Sequence, residues 1–132
     1  MRTAERGTPP PRGRRPDRRP RWGFARVVGA SMRPGLSPGD LLLVDYRRGP
    51  RPGDVVVARL ADGTVAVKRA VEPRTTASGR AGWWLLSDDP AVGVDSRHRG
   101  PVPQDDVLAV VRARAWPRPR AVRGRRGARR TV

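Results

Sequence analysis

The chain has 132 residues, 31% of them charged, and a formal net charge of +17, a length that fits one domain with one core. It contains no cysteine, which excludes disulfides, a thiolate nucleophile and Cys-ligated metals, and its single histidine argues against a His-rich metal site. We therefore expect neither a metal nor another cofactor.

Most of the positive charge lies at the two ends. Residues 1–21 carry +6 and residues 118–132 carry +7, in stretches of Arg, Pro and Gly with few apolar side chains. Such segments cannot bury enough surface to offset chain entropy. We predict disordered basic tails at 1–21 and 118–132 around a domain at 22–117.

The tails also bear on partners and location. Their charge predicts weak, salt-screened contact with anionic surfaces, but no specific nucleic-acid partner. The Arg-rich start is not followed by an apolar signal segment, and no apolar run approaches the roughly 20 residues needed to cross a bilayer. The prediction is a cytoplasmic protein, with peripheral membrane contact as the alternative.

Between the tails the pattern is that of a β domain. Segments rich in Val, Leu or Trp and bounded by Gly, Pro or Asp predict strands at 25–28, 41–46, 55–60, 64–71, 83–87 and 107–115. Ala61-Asp62-Gly63 predicts a tight hairpin, and residues 72–82 are predicted as a loop. The expected fold is mainly β, a single strongly bent antiparallel sheet with at most one helical turn near 31–36.

Lys68 is the only lysine among 29 basic residues. Arginine stays protonated at cellular pH, whereas a buried ammonium can lose its proton, so a site that needs a neutral amine requires lysine. Strand alternation places Lys68 on one face with Ala66 and Ala70. Burial there would lower the pKa of the amine and make it a general base. The structural alternative is a solvated strand lysine.

Ser31 is the favoured nucleophile for such a base. It follows an apolar strand and a Gly-Ala pair, and it precedes Met32 and a Pro/Gly-rich turn. A serine at such a break can present both its Oγ and its own backbone N–H outward, as acyl transfer requires. The alternative is a turn or cap residue. The other candidate serines are Ser37, Ser78, Ser87 and Ser96.

Four segments in chain order resemble the boxes of the signal peptidase I family. They are GASMRPGL at 29–36, RPGDVVV at 51–57, VAVKR at 65–69, and SDDP with the following DSR at 87–97. The resemblance covers about 27–115. It implies a partial barrel of the signal peptidase I and LexA C-terminal type, and a serine endopeptidase with a Ser31/Lys68 dyad.

The resemblance implies further roles. Ser96 would orient the amine of Lys68, and the backbone around Gly29 and Met32 would support the oxyanion site. The structural supports of the site would be Asp88, Asp95 and Arg97.

The chain also departs from the family pattern. Gly29 stands two residues before the nucleophile, where some members have a serine. The expected Gly-Asp-Asn appears as Ser87-Asp88-Asp89, and a serine expected before the Asp-Ser-Arg run is replaced by Gly93. These changes affect the local geometry of the box and leave both dyad residues in place.

No hydrophobic anchor precedes Ser31 in this sequence, and there is no room for a second domain between Lys68 and Ser87. Among short, anchor-free members, the chain looks most like the nickel-type superoxide dismutase maturation protease. This implies removal of an N-terminal propeptide or leader from a protein precursor bound as an extended strand. The alternatives are a LexA-like self-cleaving domain and a non-enzymatic basic binder of nucleic acid or membrane surfaces.

Overall fold

A single eight-stranded antiparallel sheet forms most of the structure, a computed structural model that describes residues 20–122. Seven strands follow one another in the order β1-β2-β7-β3-β4-β5-β6, and β8 pairs with β7. The sheet curls into a half-barrel, which confirms the predicted fold class. The strands are β1 Trp22–Arg26, β2 Leu41–Asp45, β3 Val55–Arg59, β4 Val65–Thr75, β5 Ala81–Leu86, β6 Val102–Pro103, β7 Val107–Trp116 and β8 Arg120–Ala121.

Helical structure is short. The helix α1 spans Ser96–Arg99, and a 3-10 turn spans Gln104–Asp106. Asp95 caps α1 by accepting a hydrogen bond from the Arg97 backbone N–H. In the described part of the chain, no helix has the length and hydrophobicity that a bilayer span requires.

The curl of the sheet follows from β3, which is buried on both faces. Its run Val55-Val56-Val57-Ala58 sends alternate side chains into two separate core clusters. One cluster contains Met32 and packs against β2 and β7, and the other contains Leu85 and packs β4 against β5. A continuous apolar run is expected of a strand covered on both sides.

Residues 72–82 differ from their prediction as a loop. β4 continues to Thr75 and β5 begins at Ala81, so these residues form most of a long hairpin. Cross-strand contacts explain the difference, since the Arg74 guanidinium stacks on the Trp84 ring at 4.2 Å. Composition alone, with Pro73 and several polar residues, did not show this pairing.

Ordered contacts also extend beyond the predicted domain limits of 22 and 117. Arg21 forms an ion pair with the fully buried carboxylate of Asp45 at 3.1 Å. At the other end β8 pairs with β7, and the Arg120 side chain donates a hydrogen bond to the Gly35 carbonyl. The rest of the two predicted tails, 1–19 and 123–132, lies outside the described residues.

Candidate active site

Lys68 lies in β4 with its side chain directed into the interior. It is 3% exposed, pairs in register with Val56, and follows the alternation predicted from Ala66 and Ala70. Burial lowers the pKa of its amine. The negative charge of Asp95 opposes this shift, and the positive charge of Arg97 adds to it. The net effect favours the neutral amine more than in a surface lysine.

Ser31 lies in the turn that follows β1 and is partly buried. Its carbonyl accepts a hydrogen bond from the Asp89 backbone N–H at 2.7 Å, which ties this turn to the segment after β5. Its Oγ is 3.4 Å from the Lys68 Nζ. The fold therefore brings together two side chains that are 37 positions apart in the sequence.

A second serine hydroxyl contacts the amine, and it is Ser87 rather than Ser96. The Lys68 Nζ donates to the Ser87 Oγ at 2.8 Å, and Ser87 is buried. The Ser96 Oγ instead accepts the Leu85 backbone N–H at 2.9 Å, because α1 begins at Ser96 and packs beside β5. The expectation that Ser96 orients the amine is thus corrected, since among residues 20–122 only the hydroxyls of Ser31 and Ser87 bond to it.

Asp95 and Arg97 form a local ionic network behind Ser87. The carboxylate of Asp95 accepts hydrogen bonds from the Arg97 Nε at 3.1 Å, the Arg97 Nη2 at 2.7 Å, and the Ser87 backbone N–H at 2.9 Å. Burial alone would raise the pKa of Asp95, but these hydrogen bonds outweigh it and hold the pKa well below its usual range. Asp95 therefore remains a carboxylate that fixes the position of the Ser87 backbone.

Asp88 and Met32 connect the same segment to the nucleophile turn. The Asp88 carboxylate forms a bidentate ion pair with Arg69, at 3.0 and 2.6 Å. Its backbone N–H points to the Met32 sulfur at 3.4 Å, and Met32 is one of the most deeply buried side chains. Because Met32 is covalently next to Ser31, these contacts restrain the nucleophile against the strand that carries Lys68.

Gly93 covers the Ser31–Lys68 pair from outside. Its φ of +80° lies in the left-handed region that favours glycine. A Cβ atom at this position would lie 3.3 Å from the Lys68 Nζ, 3.3 Å from the Ser31 Cβ and 3.8 Å from the Ser87 Oγ. A side chain at position 93 would therefore crowd all three groups, most of all the Lys68 amine and Ser31.

The surroundings of Gly29 and the Ser31 amide are open. A Cβ atom on Gly29 would meet nothing within 4 Å. Across the described residues, the backbone N–H groups of Ser31 and Met32 donate to no protein acceptor. Both donors are thus available to an oxygen placed beside the Ser31 Oγ.

A groove of about 380 Å³ runs beside the Ser31–Lys68 pair. One wall is the segment 25–29, and the other is the start of β4 at 64–68. Both walls offer strand edges: within residues 20–122, β1 pairs only with β2, and β5 pairs with β4 only from Arg69 onward. The groove floor is largely apolar and includes Val27, Met32, Val57, Leu60 and Val67.

The arrangement combines a buried amine, a hydroxyl within reach of it, free amide donors and an apolar groove. These are the parts that nucleophilic acyl transfer requires. The functional contact that sequence reasoning missed is Ser87. Its signal was the departure at that position, where the family pattern has a glycine.

Comparisons with known proteins identify a peptidase family. The Peptidase S24-like family profile matches residues 14–111. Subunit 1 of the mitochondrial inner membrane protease of Schizosaccharomyces pombe is 33% identical over 112 residues, which cover 69% of this chain and 71% of that protein. Protein SamA of Salmonella typhimurium is 45% identical over 53 residues, 39% of this chain, and the match spans only 37% of SamA.

Proposed function

Since the chain belongs to the Peptidase S24-like family, we propose that it is a serine endopeptidase in which Ser31 is the nucleophile and Lys68 the general base. The observation that carries this proposal is the 3.4 Å approach of the Ser31 Oγ to an amine that is 3% exposed. A solvated lysine would be protonated at neutral pH and could not accept the hydroxyl proton.

In the proposed mechanism the neutral Lys68 amine takes the Ser31 hydroxyl proton as the Oγ attacks the scissile carbonyl carbon. The negative charge that develops on the carbonyl oxygen is stabilised by the free N–H of Ser31, worth on the order of 3 kcal/mol. The lysine ammonium then protonates the leaving amine, and the acyl-enzyme ester forms. Water hydrolyses this ester with Lys68 again acting as base, which regenerates the Ser31 hydroxyl.

The substrate we propose is a protein precursor that lies extended in the groove. The edges of β1 and of 65–68 in β4, which no other described strand pairs with on this side, offer backbone groups to a strand placed between them, and alternate side chains would enter the apolar floor. The cleavage would remove an N-terminal propeptide or leader. The nickel-type superoxide dismutase precursor is the substrate to test first, because of the resemblance noted in the sequence.

The second candidate is a self-cleaving domain of the LexA type, which the family match favours. In that case the strand in the groove would come from the same chain or from a second copy. Incubation of the purified protein alone separates the two candidates: shortening at a rate independent of protein concentration indicates cleavage within one chain. A protein that stays intact alone and cuts an added precursor is a processing enzyme.

The test of the proposed chemistry uses four proteins and one candidate precursor. Wild type, Ser31→Ala and Lys68→Arg are mixed with the precursor, and a shortened product is sought by mass spectrometry. Ser37→Ala is the matched control, because it removes a hydroxyl that lies outside the groove. Wild type and the control should cut, whereas the other two should not. Activity that survives in Lys68→Arg would remove the mechanism, because arginine keeps the charge and cannot act as the base.

We further propose that the protein is cytoplasmic and that its Arg-rich ends make weak contact with anionic surfaces. The charges of +6 and +7 at the ends support the contact with anionic surfaces. Sedimentation with vesicles that contain phosphatidylserine should show binding at low salt that is lost at about 0.5 M salt. Loss of this binding on removal of both ends, with peptidase activity retained, would separate surface contact from catalysis.

A further inference from the structure

We propose that Ser87 is the positioning residue that directs the Lys68 amine toward Ser31. This inference rests on the proposed function, because it assigns a role within the same dyad. Ser87 belongs to the segment that follows β5, and its Oγ is 2.8 Å from the Lys68 Nζ. The Nζ–Oγ distance to Ser31 is longer, at 3.4 Å.

The side chain of Ser87 is held from behind by groups that do not themselves touch the amine. Its backbone N–H donates to the Asp95 carboxylate, and that carboxylate is fixed by two hydrogen bonds from the Arg97 side chain. The Ser31 Oγ also lies beside the amine, at 3.4 Å. A lysine side chain has four rotatable bonds, so one fixed acceptor is needed to keep its lone pair aligned with the nucleophile.

Two departures from the family pattern meet at this point. A serine is present at 87 where glycine is expected, and glycine is present at 93 where serine is expected. In space these positions adjoin, since a Cβ atom on Gly93 would lie 3.8 Å from the Ser87 Oγ and 3.3 Å from the Lys68 Nζ. The paired change keeps one hydroxyl beside the amine and removes a side chain that would compete with it for space. Ser87 therefore supplies the hydroxyl beside the amine, and Gly93 leaves the space for it.

The hydrogen bond makes a prediction about pH that a purely structural role does not. The ammonium form of Lys68 is a stronger donor to the Ser87 Oγ than the neutral amine, so this contact supports the protonated state. The charged groups near the amine are Asp95, which also supports the ammonium, and Arg97, which opposes it. Removal of the Ser87 hydroxyl should lower the pKa of the Lys68 amine. It should also leave the amine less precisely oriented toward the Ser31 Oγ.

The experiment compares Ser87→Ala, Ser87→Thr and Ser96→Ala with wild type on a cleavable precursor peptide across pH. Ser96→Ala is the matched control, because it removes an equally buried hydroxyl that bonds to the Leu85 backbone instead of to the amine. For Ser87→Ala we expect kcat to fall by about 10- to 100-fold with a smaller change in KM. The acidic limb of the kcat/KM profile should move to lower pH by about 0.5 unit or more. Ser87→Thr should restore most of kcat.

The outcomes separate this inference from the proposed function. If wild type does not cut, or Ser31→Ala cuts as well as wild type, the peptidase proposal itself fails. If wild type cuts and Ser31→Ala does not, the inference alone is under test. A Ser87→Ala variant with unchanged kcat, or with an acidic limb that stays in place or moves to higher pH, overturns it. An acidic limb of the kcat/KM profile that does not move to lower pH would mean that Ser87 only fills space or excludes water.

Discussion

Replacement of Asp95 by asparagine should destabilise the domain and change its response to acid. The carboxylate is fully buried and accepts four hydrogen bonds, two from the Arg97 side chain, one from the Arg97 backbone and one from the Ser87 backbone. An amide has one oxygen to accept with, and its NH₂ group would face donors. Breaking a buried ion pair costs about 3–5 kcal/mol.

The lower end of that range applies here. Arg97 has a side chain that is 40% exposed, so solvent replaces part of its interaction with Asp95. We therefore expect Asp95→Asn to lose about 3 kcal/mol of unfolding free energy at pH 7. Urea unfolding at constant temperature, followed by tryptophan fluorescence, to which the buried Trp83 contributes, measures this as a lower midpoint at an unchanged slope.

Wild type and Asp95→Asn should also differ in how their stability depends on pH. The pKa of Asp95 is lowered in the folded state, so its stabilisation is fully present above the unfolded value of about 3.9 and is lost as pH falls through the folded pKa. The gap between wild type and Asp95→Asn should therefore be constant from pH 7 to about 5 and shrink below pH 4. Equal urea midpoints for the two proteins at pH 7, or a gap that widens in acid, would refute this account of Asp95.

Two further substitutions probe the site. Lys68→Met removes an amine whose pKa is lowered by burial, so the variant should be more stable than wild type near pH 6. This difference in unfolding free energy should be about 1.4 kcal/mol for each unit by which the pKa is lowered, and it should close toward pH 10. A wild type that gains no stability relative to the variant between these pH values would contradict the buried amine. Gly93→Ala places a Cβ atom 3.3 Å from the Lys68 Nζ at a positive φ. It should lower the unfolding free energy by about 1–2 kcal/mol in thermal unfolding and lower kcat in peptide cleavage. Full activity would show that a side chain at position 93 does not disturb the Ser31–Lys68 pair.

Much of the fold was predictable because its signals are local. The apolar runs of β2, β3 and β7 are bounded by turn residues, and alternation placed Lys68 on the interior face of β4. The hairpin of 72–82 was not predictable, because its composition does not favour strands and its pairing is made across the chain, with contacts such as that of Arg74 over the Trp84 ring. The short strand β6 was also not predicted, because only two of its residues pair with β5.

The site divides in the same way. Lys68 was identifiable from residue chemistry, as the single lysine among 28 arginines, and Ser31 from its position at a strand end. The hydroxyl beside the amine was assigned to Ser96, and the structure has Ser87 there. Which of two serines nine positions apart reaches the amine depends on how α1 turns after Asp95, a tertiary feature that spacing does not determine.

In the proposed mechanism, the Lys68 amine is kept from water and loses its proton readily beside Ser31. The chain contains a single lysine, so protein labelled with ¹⁵N-lysine gives one Nζ signal that needs no assignment. Titration of that signal by NMR should have its midpoint below the usual value of about 10.4, because burial lowers the pKa of the amine. A midpoint at or above that value would contradict the account of Lys68 as a general base.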